Sequence, residues 1–294
     1  MNSTALPLFQ VQNSLGEGPL WHPVEKRLYW VDISERLLFK SDQSLSAYET
    51  FQFDTMIGAL GFCPEGDLIL ATQQGFSLWQ PGAPKPEVFW NPLPERADVR
   101  MNDGKVDPDG RFWAGSMDPE RREGELYRYD PDGQQQIMLQ NIGISNGIGW
   151  SPDGKTMYYT DSLQYTIFIF DYDPATGNIT NQRPWVQLPE DRRGIVPDGL
   201  CVDAEGCIWS AHWNGWEVVR YSPEGEPLLR IDVAAQQVTS CCFGGENMDQ
   251  LFITSARIDL PEETLADQPH AGDVFVFKTD TQGLPTNLFG KQHT

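Results

Sequence analysis

Short runs in which apolar side chains alternate with polar or small ones recur along the chain, each entered through a turn signal. "RLYWVD" (27–32), "DLILAT" (67–72), "RFWAGS" (111–116), "KTMYYTD" (155–161) and "CIWSAH" (207–212) have the period of two that marks a strand. The turns before them read "PVEK", "PEG", "PDG", "PDG" and "AEG", which are hairpin signals. A second pair of strands follows most hairpins, as in "GELYRYDPDGQQQIML" (124–139) and "YTIFIFDYDPATGNIT" (165–180). Helical periodicity is nearly absent. Only "RIDLPEETLADQPH" (257–270) predicts a short helix, inside a loop.

The strand preceding each hairpin carries a repeated phrase. "EGPLWHP" (17–23), "GALGFCP" (58–64), "NDGKVDP" (102–108), "NGIGWSP" (146–152) and "DGLCVDA" (198–204) align, and "TSCCFGG" (239–245) is a weaker sixth copy. The copies begin about 40 to 50 residues apart, the length of one propeller blade. Six copies of four short antiparallel strands predict an all-β, six-bladed β-propeller occupying residues 1–294 as a single domain. The segment "PLFQVQ" near the N-terminus is expected to close the last blade.

In a propeller the innermost strands line a central axis, so equivalent residues at their starts form a ring around one mouth. Its members are Glu17, Gly58, Asn102, Asn146, Asp198 and Thr239: two carboxylates, two amides, a gap and a hydroxyl. Oxygen donors converging from separate blades are what a hard divalent cation takes. Glu-Gly, Asn-Gly and Asp-Gly are also ordinary turn dipeptides; three of them in one register of a closed ring favour the site. "DPDG" (107–110, 130–133) and "SPDG" (151–154) do not continue as a calcium loop and are assigned to hairpin turns. "SAHWNGW" (210–216) is expected to pack between blades, with His212 as a candidate for the mouth.

A formal charge of −21, from 42 acidic against 21 basic residues, excludes most nucleic-acid and anionic-membrane partners and makes the surface a poor resting place for an anionic product. No apolar run is long enough to span a bilayer, and no secretory signal is read at the start, so a cytoplasmic location is expected. Cys63, Cys201, Cys207, Cys241 and Cys242 form no CxxC pair and are expected as reduced thiols. His22, His212, His270 and His293 have no zinc-ligand spacing, which leaves oxygen ligands for any metal.

The segments "LGEGPLWHP", "RMNDGKVDPDGRFWAGSM", "ISNGIGWSPDGKTMYYTDS", "VPDGLCVDAEGCIWSAHW" and "CCFGGENMDQLFITSA" together resemble the SMP-30/gluconolactonase/regucalcin family of sugar lactonases, in order over nearly the whole chain. The resemblance implies one divalent cation (Ca²⁺, or Zn²⁺, Mn²⁺, Mg²⁺ or Fe²⁺) held by Glu17, Asn146 and Asp198. It implies substrate binding by Arg100 and Asn102, and an acidic contact that falls on Glu120 by spacing, with Asp118 as the alternative and Arg121 or Arg122 shaping a lid. The implied reaction is metal-dependent hydrolysis of a small-molecule sugar lactone, such as glucono-, xylono- or arabinonolactone, with Asp198 assisting the attacking water. A phosphotriesterase-type hydrolase and a non-catalytic calcium-binding protein are the competing expectations. Oligomeric state is not legible.

Overall fold

The computed structural model describes residues 3–191 and 193–290. Six four-stranded antiparallel sheets succeed one another around an axis, as the repeat predicts. The inner strands are Gly16–His22, Ile57–Phe62, Arg100–Val106, Ser145–Trp150, Val196–Val202 and Gln237–Gly244. Blade six is completed by the N-terminal strand Leu6–Phe9, which pairs with Val274–Lys278 in the register Leu6↔Val276. The loop before Val274 holds the one predicted helix, Glu262–Ala266. No helix among the described residues is long and apolar enough to cross a membrane.

The core is divided into wedges. Six apolar clusters fill the spaces between neighbouring blades, for example Trp113 with Trp150 and Tyr172 between blades three and four, and Trp209 with Phe243 between five and six. Twisted radial sheets diverge outward, so large side chains are needed to fill the gaps, and Trp30, Trp113 and Trp209 are fully buried.

The Asp-x-x-Gly turns act as the sequence predicts, with a further role. Asp107 accepts hydrogen bonds from the Asp109 and Arg111 amides and from Trp113 Nε1 at 2.9 Å; Asp203 repeats the pattern with Glu205, Cys207 and Trp209 Nε1 at 2.9 Å. Each buried carboxylate therefore ties its hairpin turn to the indole that fills the adjacent wedge.

One feature has no counterpart in the repeat. The C-terminal segment crosses the mouth opposite the ring as a strap. Ala204 donates to Gln282, Thr286 Oγ1 to the Trp21 carbonyl, Asn287 Nδ2 to the Val106 carbonyl, and Phe289 to Phe62.

Candidate functional site

Every inner strand is irregular at the ring position. The pairing register slips by one residue between Glu17 and Leu20, Ile57 and Ala59, Met101 and Gly104, Ser145 and Ile148, Pro197 and Leu200, and Val238 and Ser240. A bulge leaves one residue unpaired and re-aims its side chain, a feature frequent beside active sites. The repeated Gly serves this region in two ways: Gly18 has φ +54°, a left-handed conformation natural to glycine, while a Cβ at Gly147 would lie 2.6 Å from the Asp198 carbonyl oxygen.

Beside these bulges, hydrogen bonds join Arg100, Asn102 and Asn146 across neighbouring inner strands. Arg100 Nη1 donates to Asn102 Oδ1 at 2.5 Å, and Asn102 Nδ2 donates to the Ser145 carbonyl at 2.7 Å and to Asn146 Oδ1 at 3.2 Å. Asn146 Nδ2 donates to Ser162 Oγ at 2.9 Å, which in turn donates to the Pro197 carbonyl beside Asp198 at 2.7 Å. This chain links blades three, four and five. It also fixes the amide of Asn146: its NH₂ group is held by Ser162, so its oxygen is turned toward the Asn102 side of the axis.

Glu17 and Asp198 join this group electrostatically. Burial first, and then the charge of Asp103, push the Glu17 carboxyl up to about 8, although it accepts the Gly18 amide at 2.9 Å. Burial, Glu17 and Asp103 hold Asp198 well above the usual carboxylate range. Burial brings the Arg100 guanidinium down to about 10, against the opposing pull of Glu17 and Asp198, so it stays charged at neutral pH. The Arg100 guanidinium and the Lys105 ammonium thus face three buried carboxyls, Glu17, Asp103 and Asp198, and Asp198 Oδ1 is buried with no hydrogen-bond partner.

Such an imbalance is costly unless protonation or a cation relieves it. Two carboxylates, one of them with an orphaned oxygen, and an amide oxygen fit a hard divalent cation. Among the described residues no three His, Cys, Asp or Glu side chains group as a metal set.

Asp103 was not anticipated from the sequence. It is buried, its carboxyl raised by burial, and its Oδ1 accepts the Gly104 amide at 2.7 Å. The signal lay in the alignment: where the other oxygen-bearing strands follow Glu17, Asn146 and Asp198 with Gly, this one reads Asn-Asp-Gly. Asp32 and Asp161 were missed as well. Asp32 accepts the amides of Ser14 and Leu15, and Asp161 those of Gly143 and Ile144, fastening the loops that lead into Glu17 and Asn146.

Other ring members have other tasks. The hydroxyl of Thr239 is not an axial donor; it donates to the Gly16 carbonyl at 2.6 Å, pinning blade six to the strand that carries Glu17. Gly58 is required by close approach. A Cβ there would lie 2.3 Å from the Asn102 carbonyl oxygen and 2.5 Å from that of Met101. Gly58→Ala should therefore destabilise the protein by about 3 kcal/mol, because backbone must move; chemical denaturation checks this.

Asp118 and Glu120 differ in environment. Asp118 is buried and accepts Arg96 Nη2 at 2.6 Å, whereas Glu120 is exposed on the turn after the strand Phe112–Met117 and has no side-chain partner among the described residues. Arg121 pairs with Asp98 at 3.2 Å and Arg96 with both Asp98 and Glu123, which ties the loop before Arg100 to this turn. His212 is buried between Glu217 and Tyr221 at 3.1 and 3.3 Å, a structural histidine. His293 lies outside the described residues. Trp216 does not pack between blades as expected; it is 42% exposed in a turn with φ +60°.

The cysteines are free, with Cys63 partly exposed and the rest buried; Cys201 and Cys241 approach to 3.6 Å between sulfurs.

Comparison with known proteins agrees with this architecture. Regucalcin from Gallus gallus is 35% identical over 284 residues, 94% of each chain. A calcium-binding protein, regucalcin, from Agrobacterium tumefaciens has a solved structure that superposes with a TM-score of 0.94 at 26% identity, covering 99% of each chain. A luciferin-regenerating enzyme superposes with a TM-score of 0.88 at 29% identity over 97% of this chain and 99% of its own. The family model described as SMP-30/Gluconolactonase/LRE-like region matches residues 15–257, and the chain belongs to that family.

Proposed function

We propose that this protein hydrolyses a sugar-derived lactone to the aldonic acid with the help of one divalent cation held by Glu17, Asn146 and Asp198. The observation that carries the reading is the buried, undercompensated set of oxygens at the axis, with Asp198 Oδ1 lacking any partner. Family membership supports the reaction class.

A bound cation supplies Lewis-acid polarisation of the lactone carbonyl. The rest falls to the chain. Arg100, held against Asn102 Oδ1 at 2.5 Å, offers its remaining guanidinium N–H groups to sugar hydroxyls, and Asn102 Oδ1 keeps a lone pair to accept from one, which together orient the lactone. Asp198 takes the proton of the water that adds to the lactone carbonyl and returns it to the ring oxygen as the ester C–O bond breaks, a role that suits a buried carboxylate with an unpartnered oxygen. Glu120, rather than the Arg96-bound Asp118, contacts the far end of the substrate because its carboxylate is free to turn inward.

The test is a panel of glucono-, xylono- and arabinonolactone, following acid release with each of Ca²⁺, Mn²⁺, Mg²⁺, Zn²⁺ and Fe²⁺ restored in turn. Turnover above the spontaneous rate that vanishes with chelator supports the proposal. Tight Ca²⁺ binding without turnover on any lactone would favour a non-catalytic calcium-binding role.

Arg100→Met should raise KM and lower kcat/KM about 10- to 100-fold, since it removes charged hydrogen bonds to the substrate and frees Asn102. Steady-state kinetics on the best lactone of the panel measures it, and an unchanged KM would remove Arg100 from substrate binding.

A further inference from the structure

A cavity of about 430 Å³ lies not at the Glu17 ring but at the opposite mouth of the axis, where the C-terminal strap forms one wall. Its volume lies in the range that encloses small organic ligands. Trp150, Val202, Phe243 and Leu284 give it apolar sides. Lys105 stands where this cavity meets a much smaller axial chamber lined by Asp103, Gly18 and Ser240, so its side chain forms the floor.

The floor is cationic and incompletely used. Lys105 Nζ donates to the Leu200 carbonyl at 2.8 Å, which occupies one of its three protons; the Asp103 carboxyl in the axial chamber feels its charge, but burial still holds that carboxyl up, so the ammonium keeps protons for a further acceptor. The acidic side chains that line the cavity have partners of their own. Asp109 pairs with Arg111 Nη1 at 3.5 Å, while the exposed Asp153 accepts Ser151 Oγ at 2.6 Å and the Lys155 amide at 3.1 Å.

An ammonium beneath apolar walls selects an anionic end group attached to an apolar body. We propose that this mouth is a second binding site, for an organic monoanion with a flat apolar body whose charged group rests on Lys105. A polyhydroxylated lactone or aldonate does not match these walls, so the site is separate from the one at the Glu17 ring and does not depend on the lactonase reading.

The test uses 8-anilinonaphthalene-1-sulfonate and its uncharged counterpart N-phenyl-1-naphthylamine, titrated by fluorescence into the wild-type protein and two variants. The wild type should bind the sulfonate saturably at one site, undisplaced by gluconolactone. Lys105→Met should weaken the sulfonate about tenfold or more while leaving the neutral probe within about twofold, which also shows that the variant is folded. Pro285→Trp, on the exposed rim, should weaken both probes without altering lactone hydrolysis. Absence of saturable sulfonate binding, displacement by gluconolactone, equal weakening of both probes by Lys105→Met, or indifference of both to Pro285→Trp would overturn the proposal.

Discussion

Asp198→Ala is expected to lower kcat/KM for lactone hydrolysis by about 10³-fold or more, the largest effect of any single substitution at the ring. The loss combines two contributions that separate groups normally make: a charged cation ligand and a proton acceptor. Its effect on folding should have the opposite sign. Asp198 is buried, its Oδ1 has no partner, and Glu17 and Asp103 repel its charge. The metal-free variant should therefore unfold at a temperature no lower than the wild type. Initial rates of acid release, corrected for spontaneous hydrolysis, and a thermal melt measure the two outcomes together. Activity within tenfold of wild type would remove Asp198 from the chemistry.

The second large effect links pH, the cation and stability. In the absence of divalent cations the Glu17 carboxyl is raised from 4.5 to about 8 by burial and by Asp103. A raised acid means that the folded state binds the proton more tightly than the unfolded chain. That contribution is fully present below about pH 4.5 and is lost as pH rises through about 8. Glu17→Gln removes the titration. Without cations, the variant should gain on the wild type between about pH 5 and pH 9 by roughly 3–5 kcal/mol. Excess Ca²⁺ should restore the wild type at the alkaline end, because a bound cation compensates the ionised carboxylates, and should do little for the variant. Denaturant unfolding at several pH values with and without Ca²⁺ measures this; parallel wild-type and variant profiles would contradict the electrostatic account of the axis.

The parts of this picture legible in the sequence are those carried by the repeat. Blade number follows from the aligned phrase, strand count from the hairpins around it and closure from the N-terminal strand segment, and a bulge falls within or beside the opening letters of every copy. What the repeat does not encode was not legible. Ser162, which orients Asn146, sits in a 3₁₀ turn outside the phrase and acts through a carbonyl of the next blade. Thr239 kept its register but turned its hydroxyl to the Gly16 carbonyl, a contact 223 residues away in sequence. Asp103 stands where other copies have Gly, a departure visible in the alignment, while its electrostatic coupling to Glu17 and Asp198 comes from the fold. The C-terminal strap and the cavity beside it belong to no copy of the repeat.

The most direct test of the central claim is a crystal soaked with Mn²⁺ and measured at the manganese absorption edge. The account predicts a single anomalous peak on the propeller axis, with oxygens of Glu17, Asn146 and Asp198 at about 2.1–2.4 Å from it. A peak elsewhere, or none on the axis at a concentration that supports turnover, would contradict it.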